Sequence, residues 1–139
     1  MRMSLMDRSM YYKGLMLLIR KDREIHDEER RIMMVIGKAL SFEAKFCENA
    51  IKEILTNKHV IDAPPCFSNP AIARCFIKDG LKIALVDNET HKTELAWLKA
   101  VADENGLDDS WYKASVETAS RQEWIGIEDD LDVKHLEWE

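Results

Sequence analysis

The sequence predicts an all-α domain made of two copies of a three-helix unit. Two observations carry that expectation. Apolar residues recur at spacings of three and four along six segments, which is helical periodicity. An eight-residue pattern, Asp-x-Glu-x-His-x-x-Glu, occurs at 22–29 and again 65 residues later at 87–94. Each copy follows an apolar run and precedes an amphipathic one, so each reads as a corner between helices, and repetition at a fixed period is the mark of a duplicated unit.

The first segment runs from about Leu5 to Lys21, with Leu5, Met6, Met10, Tyr11, Leu15, Leu18 and Ile19 at helical spacing. Gly14 inside it either weakens the helix or marks a close approach of another helix. After the first corner a second helix is expected from about Asp27 to Leu40. Its first turn holds Asp27, Glu28 and Glu29, where carboxylates favour the positive end of the helix dipole. Ser41 reads as the N-cap of a third helix ending near Asn57, with Phe46, Ala50, Ile51, Ile54 and Leu55 as its inward stripe.

Residues 58–68 form the long loop, because Pro64-Pro65 excludes a helix interior. Ser68 followed by Pro70 gives the start of a fourth helix, expected to about Val86. That helix is apolar on more than one face and is expected to be the most buried. A fifth helix spans about Lys92–Glu104, ended by Asn105-Gly106, and a sixth about Asp109–Glu123. The tail after Trp124 alternates Ile125, Ile127, Leu131, Val133 and Leu136 with acids. It suits an extended strap or a short helix equally. One domain, 1–139, is therefore expected, with repeats at about 5–57 and 69–123 and an acidic tail at 124–139. The first helix of each repeat should lie centrally in a pseudo-symmetric pair.

Composition bounds the function. The chain has 139 residues, is 33% charged and carries a net charge of −6. Nucleic acid and anionic membrane select basic surfaces, so neither is an expected partner. The longest apolar run, Leu15–Ile19, is too short for a membrane span or a signal-peptide core, and the expected location is cytoplasmic. Cys47, Cys66 and Cys75 form no C-x-x-C pair and are odd in number, as in a reducing compartment. Cys47 and Cys75 read as core fillers and Cys66 as accessible. His59 and His135 read as solvated. Trp124 and Trp138 are the aromatic residues to test as partner contacts.

The corner admits two chemistries. In the first it is structural: His26 and His91 occupy N-caps, Glu29 and Glu94 return hydrogen bonds as in a capping box, and Asp22 and Asp87 accept turn amides. In the second, Asp22, Glu24, Glu29, Asp87, Glu89 and Glu94 supply oxygen ligands to a divalent cation, with His shifting the preference toward a transition metal. An EF-hand is excluded. Asp27 and Lys92 stand where its Gly is required, and Met33 and Leu98 where its bidentate Glu belongs. Gly-rich phosphate loops, H-E-x-x-H and G-x-S-x-G are all missing.

The residues around the corners resemble a known family. Leu81-Lys82-Ile83-Ala84-Leu85-Val86-Asp87-Asn88-Glu89-Thr90-His91-Lys92-Thr93-Glu94 is similar to the hallmark of the tellurite-resistance TerB-like family, an apolar helix ending in Ala-Asp-Gly, then x-Ile, then three residues and Glu. Leu17 to Glu29 resembles it more fully, and the likeness covers about residues 10–120. Arg23 and Asn88 stand where the family has Gly, and Thr90 replaces an apolar residue.

The resemblance implies an all-helical two-repeat fold and an association with bacterial stress response and membrane-linked assemblies. It also implies an acidic metal-binding surface to which Asp22, Glu29, Asp87 and Glu94 correspond. Glu24 and Glu89 come from the local spacing alone. The expected function is a non-enzymatic helical module that binds a divalent cation or a protein partner through its acidic corners. The alternatives are a purely structural protein-interaction domain and a metal-dependent hydrolase. Oligomeric state is left open.

Overall fold

A computed structural model describes residues 2–20, 27–57, 63–85, 92–121 and 131–138. They form six helices: α1 (Leu5–Arg20), α2 (Asp27–Ala39), α3 (Ala44–Thr56), α4 (Pro70–Ala84), α5 (Lys92–Glu104) and α6 (Asp109–Arg121). A 3-10 turn at Asp132–His135 follows. The one strand pairing among the described residues is parallel, between β1 (Arg2–Met3) and β2 (Glu137–Trp138). Apart from that two-residue pairing, the regular structure of the described residues is helical, as the periodicity requires. No helix of the described residues is long and apolar enough to cross a membrane.

Burial ranks the helices. In α4, ten of 15 residues are buried, and in α1 nine of 16. By contrast α3 buries only Cys47, Ile51 and Ile54, and α6 only Tyr112 and Ala119. Helices apolar on several faces must be surrounded by others, and α1 and α4 occupy that place. They pack against each other and run in the same direction. Asp7 near the start of α1 is bonded to Ser68, just before α4. Farther along, a Cβ on Gly14 would lie 2.8 Å from the Phe76 ring, and a Cβ on Gly80 would lie 3.3 Å from Leu18. Gly14 and Gly80 thus let the two helices approach more closely than any side chain would permit. Arg20 and Ala84, the last residues of α1 and α4, therefore emerge at the same end of the pair.

The elements recur in the sequence at a constant interval. α4, α5 and α6 begin 65 residues after α1, α2 and α3, and α5 and α6 also end 65 residues after α2 and α3. The turns that close α2 and α5 share a backbone geometry. Ser41 has φ 64° and Gly106 has φ 67°. The amide of Phe42 donates to the Gly37 carbonyl, and that of Leu107 to the Ala102 carbonyl, both at 2.9 Å. This is the closure of a helix by a left-handed residue at C′.

Four sequence expectations change. Ser41 is not the N-cap of α3; it is the left-handed residue after α2, and Glu43 precedes α3 in extended geometry without a side-chain cap. Ser68 does not cap α4, because its hydroxyl and amide are taken by Asp7. Asn69 caps α4, its Oδ1 accepting from the Ala71 amide at 2.8 Å. Phe46 and Leu55 are 53% and 41% exposed, since α3 lies at the periphery and no helix covers that part of its stripe. Cys75 is half-buried, whereas Cys47 is buried and Cys66 exposed as expected.

The loop before α4 is stitched down by two polar side chains. The Asn105 side chain accepts from the Phe67 amide and donates to the Pro65 carbonyl, each at 2.8 Å. Asp7 accepts from the Ser68 amide at 3.0 Å and the Ser68 hydroxyl at 2.5 Å. Ser4 and Asp7 also form a capping box at the start of α1. Phe67 can then stack into the cluster of Tyr11 and Phe76, with ring centroids 5.9 and 5.3 Å away.

Candidate functional site

Of the six predicted cation ligands, Glu29 and Glu94 lie within the described residues. Asp22, Glu24, Asp87 and Glu89 lie outside them, as do His26 and His91. Glu29 and Glu94 are the third residues of α2 and α5. Both are buried, with 4% and 1% of their surface exposed. A carboxylate in that position faces the unsatisfied amides of the first turn and the positive end of the helix. Among the described residues no three His, Cys, Asp or Glu side chains gather as a metal cluster. The shared direction of α1 and α4 places the points from which both corners depart at one end of the molecule.

A different constellation forms at the middle of α4, one that no sequence motif announces. Asp79 is fully buried. Its Oδ2 accepts from the Tyr11 hydroxyl at 2.7 Å and from the Val133 amide at 3.0 Å, and its Oδ1 accepts from the Asp132 amide at 2.6 Å. Lys82 Nζ donates to Asp132 Oδ1 at 2.9 Å and lies 4.0 Å from Asp79. Burial pushes the Asp79 carboxyl up to about 6, against the opposing pull of the Tyr11 and Asp132 donors. Burial, with Asp132 and Asp79 nearby, also raises the Cys75 thiol to about 11, so it is a protonated thiol at neutral pH. The one sign available in sequence was a single acid, Asp79, inside a helix that is apolar on more than one face.

Asp7 is treated differently. Burial works to raise its carboxyl, but the donors from Ser68 and Ser4 together outweigh it and hold the group below the ordinary range. Burial pushes the Tyr11 and Tyr12 hydroxyls well upward, so neither is a base at neutral pH.

Two clefts flank α1. One of about 450 Å³ lies against α3, lined by Tyr12, Met16, Phe42 and Phe46 with Lys13 and Glu53. Its aromatic rings are continuous: Tyr12 to Phe42 is 5.6 Å and Phe42 to Phe46 is 5.2 Å. The other, about 340 Å³, lies under Ala63–Cys66 beside Met10 and Gly14. Both are mainly apolar surfaces that can take a hydrophobic side chain. The His135 side chain is exposed, as the sequence suggested, while His59 lies outside the described residues. No protein-family model, curated protein or solved structure matches this chain.

Proposed function

We propose that this chain is a non-enzymatic helical module of TerB-like architecture, in which two pseudo-symmetric three-helix repeats bring two acidic corners to one pole that binds a divalent cation. The observation that carries the reading is the parallel packing of α1 and α4, whose last residues emerge at the same end. The constant 65-residue interval between helices supports the repeat. So do the matched left-handed closures at Ser41 and Gly106 and the two buried glutamates in equivalent first turns. Asp22, Glu24, Glu29, Asp87, Glu89 and Glu94 supply hard oxygen donors. Their chemistry suits calcium, magnesium or manganese better than a soft metal. A role in a cytoplasmic stress response, with a protein partner, is the setting the family resemblance offers.

Calorimetric titration of the full chain with calcium, manganese and zinc tests this reading. Wild type should bind at least one of these ions. Asp22→Asn/Asp87→Asn should weaken that binding at least tenfold while leaving the helical circular dichroism unchanged. Absence of binding to wild type, or equal binding by both proteins, overturns the cation assignment. A second reading, a purely protein-interaction domain, is favoured by one observation: Phe46 is half-exposed over an aromatic cleft.

A further inference from the structure

The last described segment sits on the helices as a bound peptide would. Leu131 and Val133 are fully buried and Leu136 nearly so, while Lys134 and His135 between them are exposed. The 3-10 turn touches α4 and α2. Both oxygens of one buried carboxylate, Asp79, accept the consecutive amides of Asp132 and Val133. The Asp132 side chain in turn accepts from Lys82 at 2.9 Å and lies 3.8 Å from Lys78. Beyond the turn, Glu137 and Trp138 continue as a strand paired in parallel with Arg2 and Met3.

Every class of contact used in peptide recognition is therefore present. Main-chain bonds supply affinity, apolar seats read side chains, and a cationic pair reads one acid. The start of a 3-10 turn leaves its first amides unpaired, and a buried carboxylate of α4 meets them here. Such a group is costly unless it is bonded. Asp79 is bonded to this segment at two consecutive positions, which fixes its register.

We propose that the face of α4 and α2 around Asp79, Lys78 and Lys82 is a peptide-docking site for a Leu-Asp-Val-x-x-Leu segment folded as a single 3-10 turn, occupied in cis by the chain's own residues 131–136. The partner in trans is a protein carrying a segment of the same chemistry: an apolar residue, an acid, an apolar residue, and a further apolar residue three positions on. Lys78 and Lys82 select the acid by charge. Asp79 selects a turn whose first two amides are free, and excludes proline at either position. The cis segment sets the threshold, because a ligand on the same chain competes as an intramolecular one. A partner engages only when it competes with that tether or when the tail is withdrawn.

The test uses the full chain and a labelled synthetic peptide of residues 131–138. Leu131→Asp/Val133→Asp evicts the cis segment, and peptide should bind that variant at least tenfold more tightly than it binds wild type. Peptide carrying Asp132→Lys should not bind. Equal binding by wild type and variant, or binding of the Asp132→Lys peptide as well as the native one, overturns the proposal. Should the variant lose its helical signal, wild type gives the answer alone. Hydrogen exchange at the Asp132 and Val133 amides should accelerate when native peptide is added at about millimolar, and not with the Asp132→Lys peptide. Unchanged exchange overturns the proposal. So does a concentration-dependent dimer in which the tail is exchanged, since the occupant would then be a second copy and not the chain itself.

Discussion

Two buried aspartates show how the same side chain is made to serve opposite ends. Asp7 collects donors from Ser4 and Ser68, and its carboxyl is held low. Its contribution to stability is present above the unfolded value of 3.8 and is lost as pH falls through the lowered folded value. Asp79 is raised to about 6, chiefly by burial. A folded-state value above the unfolded one means that the folded chain binds the proton more tightly, so this contribution is present below pH 3.8 and is lost as pH rises through about 6. The charged groups around Asp79 are Lys82 on its own helix and Asp132 on the strap, with the Tyr11 hydroxyl on α1 and the Cys75 thiol beside them. The whole effect corresponds to about 3 kcal/mol. Urea unfolding at closely spaced pH values between 4 and 7 should show wild type losing stability relative to Asp79→Asn as pH rises through this window. Parallel curves for the two proteins would contradict the assignment. The Asn variant should be less stable in absolute terms, since its amide must oppose one strap N–H and leave it unsatisfied, which costs about 1–3 kcal/mol.

At the scale of elements, the packing of α2 on α3 turns on Gly37. A Cβ there would lie 2.3 Å from Cys47 Sγ and 3.2 Å from the Tyr12 hydroxyl. Gly37→Ala should therefore destabilise by about 1–3 kcal/mol through overpacking. Cys47→Ala frees that space, so the double variant should lose less than the sum of the singles, a coupling measurable by a double-mutant cycle in chemical denaturation. The turn after α2 offers the opposite sign. Ser41 holds φ 64° where Gly106 holds 67° in the later turn. Left-handed backbone costs a non-glycine residue about 1 kcal/mol, partly offset by glycine's greater unfolded entropy. Ser41→Gly should raise the urea midpoint, with a gain of up to about 1 kcal/mol.

These elements also show what local sequence could and could not specify. Helix existence was legible because burial imposes the 3.6-residue period on every core-facing segment. The exposure of Phe46 and Leu55 was not legible, because periodicity gives the direction of a stripe and not how far a neighbouring helix extends along it. The caps moved for a related reason. Ser41 and Ser68 are both good N-cap residues in isolation, but Ser68 is claimed by Asp7, 61 positions away. At the candidate site the same limit applies. The two Asp-x-Glu-x-His-x-x-Glu segments are contiguous in sequence and could be seen there, whereas the Asp79 fork joins residues more than 50 positions apart.

For the whole molecule, the question is whether α1–α3 and α4–α6 behave as one cooperative unit. α1 buries Tyr11, Tyr12 and the unbroken run Gly14 to Ile19. That burial surrounds the helix, and α2 and α3 alone cannot supply it: Phe76 packs on Tyr11 at 5.3 Å with the rings edge to face, and Leu18 meets Gly80. The tail adds a second tie. Asp79 is held from one side by Tyr11 of α1 and from the other by the strap. Separating the halves would expose an apolar face on each, and an exposed face of that kind makes an isolated half unstable. The tryptophans make this measurable. All four, Trp97, Trp111, Trp124 and Trp138, lie after residue 90, and none lies in residues 5–57. Fluorescence therefore reports the second half and tail, while far-ultraviolet circular dichroism reports all six helices. In urea the two signals should give coincident transitions with one midpoint, the signature of two-state unfolding. A first half that melted independently would leave a helical phase with no matching change in fluorescence, and that result would overturn the single-unit reading. Tyr11→Phe removes the α1 bond to Asp79 while keeping the ring in its cluster. It should lower both midpoints together by the same amount, because the shared carboxylate belongs to neither half alone.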